Sequence, residues 1–127
     1  MLFRSYLPHN HQVNSVVYTG THDNDTTAGW YHSLSDSQRS RVDQYVGGRG
    51  EDTVTYILRT VLMSVANTAI IPLQDLIEAG SEARMNVPGT AFGNWGWRFT
   101  WDMIEHDLAG RIRDLVNCYG RSNPRYH

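Results

Sequence analysis

The stretch VVYTGTHDNDTTAGWY, which runs from Val16 to Tyr31, decides the fold because it joins an apolar segment to a dense run of polar groups. Residues Ser15–Thr19 are mostly β-branched or aromatic and are followed by Gly20, which predicts a short strand. Because nearly all of these residues are apolar, instead of alternating with polar ones, we expect a strand that is buried on both faces. Strands of that kind are typical of parallel sheets.

The polar run after this strand has three interpretations: a metal site, a helix cap or part of an active site. The metal ligands that it could offer, together with two residues upstream, are His9, His11, His22, Asp23 and Asp25. The run lacks two histidines four residues apart, the spacing that brings both onto one helix face, so a metal site is only weakly indicated. Asp25 and Thr26 are typical N-caps and predict a short helix through Tyr31.

The rest of the chain predicts further helices and a second strand. The predicted elements are a helix from Ser35 to Val46, a helix from Asp52 or Thr53 to Val65, a strand at Thr68–Ile71, the segment Leu73–Ile77, a loop from Gly80 to Gly96 and a helix from Trp101 to Tyr119. Ser35 and Gln38 have the spacing of a capping box. Cys118, near the end of the last helix, is expected to be buried. The order strand, helices, strand, helix predicts parallel strands joined by helical crossovers.

Two strands are too few for a complete α/β domain. A parallel sheet needs both faces covered, and two-stranded sheets are only marginally stable. The sequence therefore predicts part of a larger architecture. Functional side chains of such folds lie just beyond the carboxyl ends of the strands. We therefore expect the polar run, the pair Gln74–Asp75 and the loop 80–96 to form one site at the same edge of the sheet.

The composition argues against several classes of partner. The 127 residues carry a net charge of −2 with only 11 Lys and Arg, which offers no basic surface to nucleic acid or to an anionic membrane. No apolar run approaches the roughly 20 residues that span a bilayer. The single cysteine, Cys118, forbids an intrachain disulfide and favours a reducing compartment, so we expect a cytoplasmic protein.

Carboxylates and aromatic rings in these loops suit a sugar ligand. A carboxylate can accept hydrogen bonds from two vicinal hydroxyls, and an imidazole can add a further contact. Three of the 4 Trp lie between Trp95 and Trp101, where a pyranose ring could stack, although core packing is the commoner role for at least one of them. Arg84, in the loop before them, could either clamp a carboxylate inside the protein or contact a substrate.

Three long segments carry a resemblance to a known family: VVYTGTHDNDTTAGWY, SVANTAIIPLQDLIEAGSEARMNVPGT (residues 64–90) and GNWGWRF (residues 93–99). They resemble the 4-α-glucanotransferases, also called amylomaltases or disproportionating enzymes, of the α-amylase clan. The resemblance implies an α/β fold in which residues 1–127 form the C-terminal quarter of a (β/α)₈ TIM barrel. That quarter would contain strands seven and eight with their helices, and no second domain.

The resemblance also implies an activity. Such enzymes transfer an α-1,4-glucan segment of a maltodextrin, glycogen or starch to the 4-hydroxyl of an acceptor glucan, by a retaining double displacement and without a metal or organic cofactor. Asp23 matches the third carboxylate, which stabilises the transition state through hydrogen bonds from the 2- and 3-hydroxyls of the distorted sugar. His22, Asn86 and Arg84 match substrate-binding positions.

The chain departs from the family pattern in two respects. No segment matches the motif of the nucleophilic aspartate or that of the acid/base glutamate, so we expect this chain alone to be inactive. Phe92 stands where the family more often has an acidic residue. We therefore expect a fragment whose strands need the remainder of the barrel, or a homo-oligomer, beside them. The alternative function is a non-catalytic glucan-binding or interaction module.

Overall fold

A computed structural model describes residues 7–123, so the predicted domain 1–127 includes ten terminal residues outside the described range. Its helices and strands follow the predicted order. They are β1 (Val16–Tyr18), α1 (Thr27–Ser33), α2 (Asp36–Val46), α3 (Thr53–Met63), β2 (Thr68–Ile70), α4 (Leu73–Leu76) and α5 (Leu108–Cys118), with 3₁₀ turns at Pro8–Asn10, Ser81–Ala83 and Trp101–Met103. The chain is therefore an α/β structure in which helices connect two short strands.

The two strands form a parallel pair, which confirms the predicted helical crossover. Val16 pairs with Thr68, and Tyr18 pairs with Ile70 at the other end. The predicted burial on both faces is wrong for this chain, because Val17 is buried whereas Val16 and Tyr18 are 53% and 52% exposed. Val61 of α3 packs against Val17 on one face of the sheet, whereas Val16, Tyr18 and Ile70 on the opposite face are half exposed.

The core lies between that covered face and α3. Val17, Val61 and Ala66 form a buried cluster, with Ala69 and Ile71 packed against it. Apolar residues at helical spacing in α3 form a largely buried stripe, since Val54, Leu58, Val61 and Leu62 are 4–6% exposed. The helix ends two residues earlier than predicted, which leaves Val65 beyond its end and 59% exposed.

The capping residues predicted for α1 and α2 have the predicted contacts. Thr26 accepts a hydrogen bond from the backbone N–H of Gly29 at 3.1 Å, and Ser35 and Gln38 form a reciprocal capping box. Gly47 ends α2 with a φ of 81°, a conformation that glycine adopts without a steric cost. Local side-chain chemistry therefore sets the bounds of these two helices.

Helices α1, α2 and α3 meet at the carboxylate of Asp43. This carboxylate accepts hydrogen bonds from Thr53 Oγ1 of α3 at 2.6 Å and from the Tyr31 hydroxyl of α1 at 2.7 Å. These two hydrogen bonds, the one from Thr53 foremost, hold the pKa of Asp43 below its usual value. Burial and the neighbouring carboxylate raise the pKa of the Tyr31 hydroxyl.

The last helix begins later than predicted. The segment from Trp101 forms only a 3₁₀ turn, Ile104 is extended, and α5 starts at Leu108. Arg111 of α5 pairs with Glu105 at 2.7 Å across this break. The prediction that Cys118 is buried is also wrong, because among the residues of α5 only Leu108 is buried.

Arg121 connects the C-terminal segment to the end of α3 through hydrogen bonds. Arg121 donates to the backbone carbonyls of Leu62 at 2.6 Å, Ser64 at 2.7 Å and Ala66 at 3.0 Å. The carbonyls at a helix C-terminus lack partners within the helix, and a cation there is favourable. In the part of the chain that is described, no helix is both long enough and apolar enough to cross a membrane.

Candidate functional site

Two loops meet beyond the carboxyl ends of the parallel strands. The first loop, residues 20–26, connects β1 to α1, and the second, residues 80–96, follows α4. Together they bring His22, Asp23, Arg84 and Asn86 into direct contact, as the hydrogen bonds between the loops establish. All four residues that the sequence singled out for sugar binding therefore lie in one place.

A buried carboxylate holds both ends of the first loop. Asp75 is 3% exposed and accepts hydrogen bonds from the Thr19 hydroxyl and, at 2.8 Å, from the backbone N–H of Thr27. Thr19 follows the last residue of β1, and Thr27 is the first residue of α1. The sequence had indicated Asp75 as a polar residue at the site; its contacts show that it anchors the loop instead.

Within the first loop, a turn presents His22 and Asp23. The side chain of Asn24 accepts from the backbone N–H of Thr21 at 2.8 Å and from its hydroxyl at 3.0 Å. The backbone N–H of Asn24 donates to the Thr21 carbonyl at 3.1 Å. Because Asn24 is engaged in forming the turn, His22 and Asp23 are left projecting from it, with side chains 54% and 48% exposed.

The carboxylate of Asp23 is fixed through one of its two oxygens. Asn86 Nδ2 donates to Asp23 Oδ1 at 2.7 Å, and His22 Nε2 lies 3.3 Å from the same atom. Among residues 7–123, none donates a hydrogen bond to Asp23 Oδ2. A half-exposed carboxylate with one oxygen held and the other unoccupied can accept a hydroxyl group of a ligand.

Arg84 joins the two loops through backbone carbonyls. Its Nη2 donates to the carbonyl of Asp23 at 2.7 Å, and its Nε donates to the carbonyl of Asn86 at 2.9 Å. The backbone N–H of Asn86 donates in turn to the carbonyl of His22 at 3.0 Å. The sequence leaves Arg84 two roles, an internal clamp or a substrate contact. Its contacts in the structure are those of an internal clamp, except that it binds backbone carbonyls and not a carboxylate.

Two residues besides these four also shape the site. Ser81 Oγ donates to Asp25 Oδ2 at 2.8 Å, which fastens the start of the second loop to the first. Trp95 packs its ring against the imidazole of His22, with ring centroids 5.1 Å apart and planes tilted by 32°. Neither contact could be predicted from the spacing of residues along the sequence, because each joins residues more than fifty positions apart.

The five residues considered as metal ligands do not gather at one point. His9 Nδ1 lies 2.7 Å from the Tyr45 hydroxyl, and His11 Nδ1 lies 2.8 Å from Ser64 Oγ. Over residues 7–123, no group of three or more His, Cys, Asp or Glu side chains has the arrangement of a metal site. The geometry of the loops is instead that of a polar surface with a half-exposed carboxylate.

Comparison with known proteins relates this geometry to a family. The family model described as 4-alpha-glucanotransferase matches residues 3–104. The chain is 47% identical over 121 residues to the chloroplastic/amyloplastic 4-alpha-glucanotransferase of Arabidopsis thaliana, covering 91% of this chain and 21% of that protein. It is 45% identical over 118 residues to the 4-alpha-glucanotransferase of Synechocystis, of which it covers 23%.

A solved structure gives the same result. The amylomaltase of Streptococcus agalactiae, determined in complex with acarbose, matches with a TM-score of 0.89 at 30% identity. The match covers 94% of this chain and 24% of that one. The chain thus spans about a fifth to a quarter of the length of the relatives it matches, and its fold is part of a larger one.

Proposed function

Because this chain belongs to the 4-alpha-glucanotransferase family, we propose that it forms part of the sugar-binding site of an enzyme that transfers α-1,4-glucan segments. The donor is a maltodextrin, glycogen or starch chain, and the acceptor is the 4-hydroxyl of another glucan. The complex of the Streptococcus agalactiae amylomaltase with acarbose supports a glucan-like ligand for the proposed enzyme.

The proposal rests on the hydrogen bonding of the Asp23 carboxylate. Its Oδ1 is held by Asn86, whereas its Oδ2 has no partner among residues 7–123. In the proposed reaction, Asp23 accepts hydrogen bonds from the 2- and 3-hydroxyls of the sugar at the point of cleavage. Such bonds strengthen as the ring flattens toward an oxocarbenium ion, so they stabilise the transition state more than the bound substrate.

The neighbours of Asp23 provide the other proposed sugar contacts. The imidazole of His22 is half exposed beside Asp23 and can donate or accept a hydrogen bond. Asn86 has a side-chain oxygen in addition to the N–H₂ group that binds Asp23. Arg84 uses two of its five N–H donors on backbone carbonyls, and we propose that another reaches a sugar hydroxyl.

The two groups that carry out covalent chemistry lie elsewhere in this proposal. Retention requires a nucleophilic carboxylate and an acid/base carboxyl roughly 5–5.5 Å apart, which we assign to the part of the family's length that this chain does not span. We propose that residues 1–127 are one quarter of a (β/α)₈ barrel, whose neighbouring strands pair with the outer edges of β1 and β2. The reaction needs no metal or organic cofactor.

The proposed partners are therefore α-1,4-glucans and the remainder of the barrel. A cytoplasmic location stays a prediction, which rests on the single cysteine of the chain. The relative from Arabidopsis thaliana is named as chloroplastic/amyloplastic, so a plastid is the alternative location.

The test uses the full-length enzyme, meaning this chain together with the remainder of the barrel. Asp23→Asn should lower kcat for the disproportionation of maltotriose by on the order of 100- to 1,000-fold, the scale of removing one transition-state contact, and change KM little. An amide has one acceptor oxygen and carries no charge, so it binds the hydroxyls more weakly. The measurement is the release of glucose and longer dextrins.

The matched control is Asp36→Asn, which removes a carboxylate that is 98% exposed on α2 and should leave activity unchanged. Near-normal disproportionation by the Asp23→Asn enzyme would overturn the assignment of Asp23. A wild-type enzyme that binds maltotriose but releases no products would instead support a non-catalytic glucan-binding module. The isolated 127-residue chain should show no turnover in either case.

A further inference from the structure

Trp95 has a backbone conformation that is unusual for a large side chain. Its φ is +62°, in the left-handed region that residues other than Gly, Asn and Asp seldom adopt. Such conformations persist only where surrounding contacts enforce them, and they concentrate at functional sites. Trp95 lies in the second loop of the site and is 52% exposed, so burial in a core does not account for its position.

The contacts that enforce this conformation are short and local. The backbone N–H of Trp95 donates to the carbonyl of Met85 at 2.6 Å. The side chain of Asn94 closes the intervening segment, since it accepts from the N–H of Val87 at 2.9 Å and donates to Thr90 Oγ1 at 2.9 Å. The chain therefore turns back on itself and brings residue 95 alongside residue 85.

This return places the indole next to the first loop. Asn86 follows Met85 and donates its backbone N–H to the carbonyl of His22 at 3.0 Å, so residues 22, 86 and 95 lie on adjacent segments. The indole contacts the imidazole at 5.1 Å between centroids with a tilt of 32°, a favourable distance for two aromatic rings. The imidazole thereby lies between the Trp95 ring and the Asp23 carboxylate, whose Oδ1 is 3.3 Å from Nε2.

We propose that Trp95 is a positioning residue of the glucan site, which holds the imidazole of His22 beside the carboxylate of Asp23. The inference rests on the proposed function for its effect on catalysis. Without the indole, the half-exposed imidazole gains rotamers that point away from Asp23. Trp95 acts through His22, so its loss should change transition-state stabilisation and not the affinity for the ground-state substrate.

The test is a double-mutant cycle in the full-length enzyme, with maltotriose as substrate. Trp95→Ala and His22→Ala should each lower kcat by roughly 10- to 100-fold, the scale of a misplaced catalytic contact, with KM little changed. The double variant should be no slower than His22→Ala alone, because the indole has nothing left to position. Trp95→Phe keeps an aromatic ring and should recover most of the activity.

The matched control is Trp101→Ala. Trp101 is 81% exposed, and its ring contacts Phe99 at 5.3 Å rather than His22, so any loss that its removal causes should add to that of His22→Ala instead of being absorbed by it. Additive losses in the double variant would overturn the proposal, as would an effect of Trp95→Ala confined to KM, which would identify the indole as a direct sugar contact. Thermal unfolding of each variant identifies any that fails to fold.

A readout without activity separates this proposal from the proposed function. The indole ring current should displace the proton resonances of the His22 imidazole, which are assigned by their loss in His22→Ala. These resonances should move to ordinary values in Trp95→Ala and stay in place in Trp101→Ala. Unchanged resonances in Trp95→Ala would overturn the positioning role. A wild-type enzyme without transferase activity overturns the proposed function, and the resonances alone then decide whether Trp95 fixes His22.

Discussion

Gly29 lies at a point where the two loops of the site leave no room for a side chain. A Cβ atom on Gly29 would overlap Ser81 Oγ and would lie 2.8 and 2.9 Å from the two carboxylate oxygens of Asp25. These are the atoms that fasten the second loop to the first. The absence of a side chain at Gly29 therefore allows α1 to approach the hydrogen bond between Ser81 and Asp25.

Gly29→Ala should destabilise the full-length enzyme by about 1–3 kcal/mol, the usual cost of inserting a methyl group into a filled space. It should also lower transferase activity, because it separates the loops that hold Asp23 and Asn86. The measurement is the free energy of unfolding in urea. Gly110→Ala in α5 is the control: its Cβ meets nothing within 4 Å, so it should be neutral or stabilising by up to about 1 kcal/mol. Equal effects of the two substitutions would contradict this account.

At the scale of elements, the junction of α1, α2 and α3 depends on one carboxylate. Asp43 accepts hydrogen bonds from Thr53, which is 0% exposed, and from Tyr31, which is 4% exposed. Because hydrogen bonds donated to a carboxylate favour its charged form, the fold stabilises the ionised form of Asp43. The junction should therefore weaken in acid.

The hydrogen bonds from Thr53 and Tyr31 hold the pKa of Asp43 in the folded state below its ordinary value of 3.8. Its contribution to stability is consequently present above about pH 3.8 and is lost as the pH falls through the lower, folded-state pKa. Asp43→Asn should lower the free energy of unfolding at neutral pH, and the difference from wild type should shrink in acid. Asp114→Asn, on the exposed face of α5, should show no such trend. A constant difference across this pH range would contradict the prediction.

Local signals predicted the elements that local chemistry determines. The bounds of α1 and α2 follow from Thr26, Ser35 and Gly47, whose contacts are all within four residues. The start of α5 could not be predicted in the same way. Apolar spacing from Ile104 onward indicates a helical face but not its first residue, and the break before Leu108 is bridged by an ion pair between Glu105 and Arg111.

The residues of the candidate site could be predicted from the sequence, but the contacts that hold its loops together could not. His22 and Asp23 follow a strand, and Arg84 and Asn86 lie in the loop beyond the next one, so topology and the family resemblance both indicated them. The burial of Asp75 and the ring contact of Trp95 were not predictable, because they depend on how loops distant in sequence pack together.

At the scale of the whole molecule, the sheet presents an uncovered apolar face. Val16, Tyr18 and Ile70 are 52–55% exposed, and all three belong to the two strands. A two-stranded sheet with apolar residues and open edges is unstable alone and pairs readily with other chains. The match to 24% of the Streptococcus agalactiae amylomaltase accords with a face that the remaining structure covers.

The isolated 127-residue chain should therefore self-associate at micromolar concentration. Light scattering should report a mass well above 14.5 kDa, the mass of one chain. Ile70→Lys places a charge on the exposed face and should reduce association, whereas Gln44→Lys on the exposed side of α2 adds the same charge and should not. A stable monomer that unfolds cooperatively would contradict the inferred need for a covering structure.

The central claim is that Asp23, His22 and Asn86 hold a glucan, and a crystal structure of the full-length enzyme with a bound maltooligosaccharide tests it most directly. We expect two vicinal hydroxyls of one glucose unit within hydrogen-bonding distance of the Asp23 carboxylate, with Oδ2, the oxygen without a protein partner between residues 7 and 123, accepting at least one of them. The imidazole of His22 and the side chain of Asn86 should contact the same unit. A glucan bound elsewhere on the enzyme, with Asp23 Oδ2 facing only water, would contradict the account.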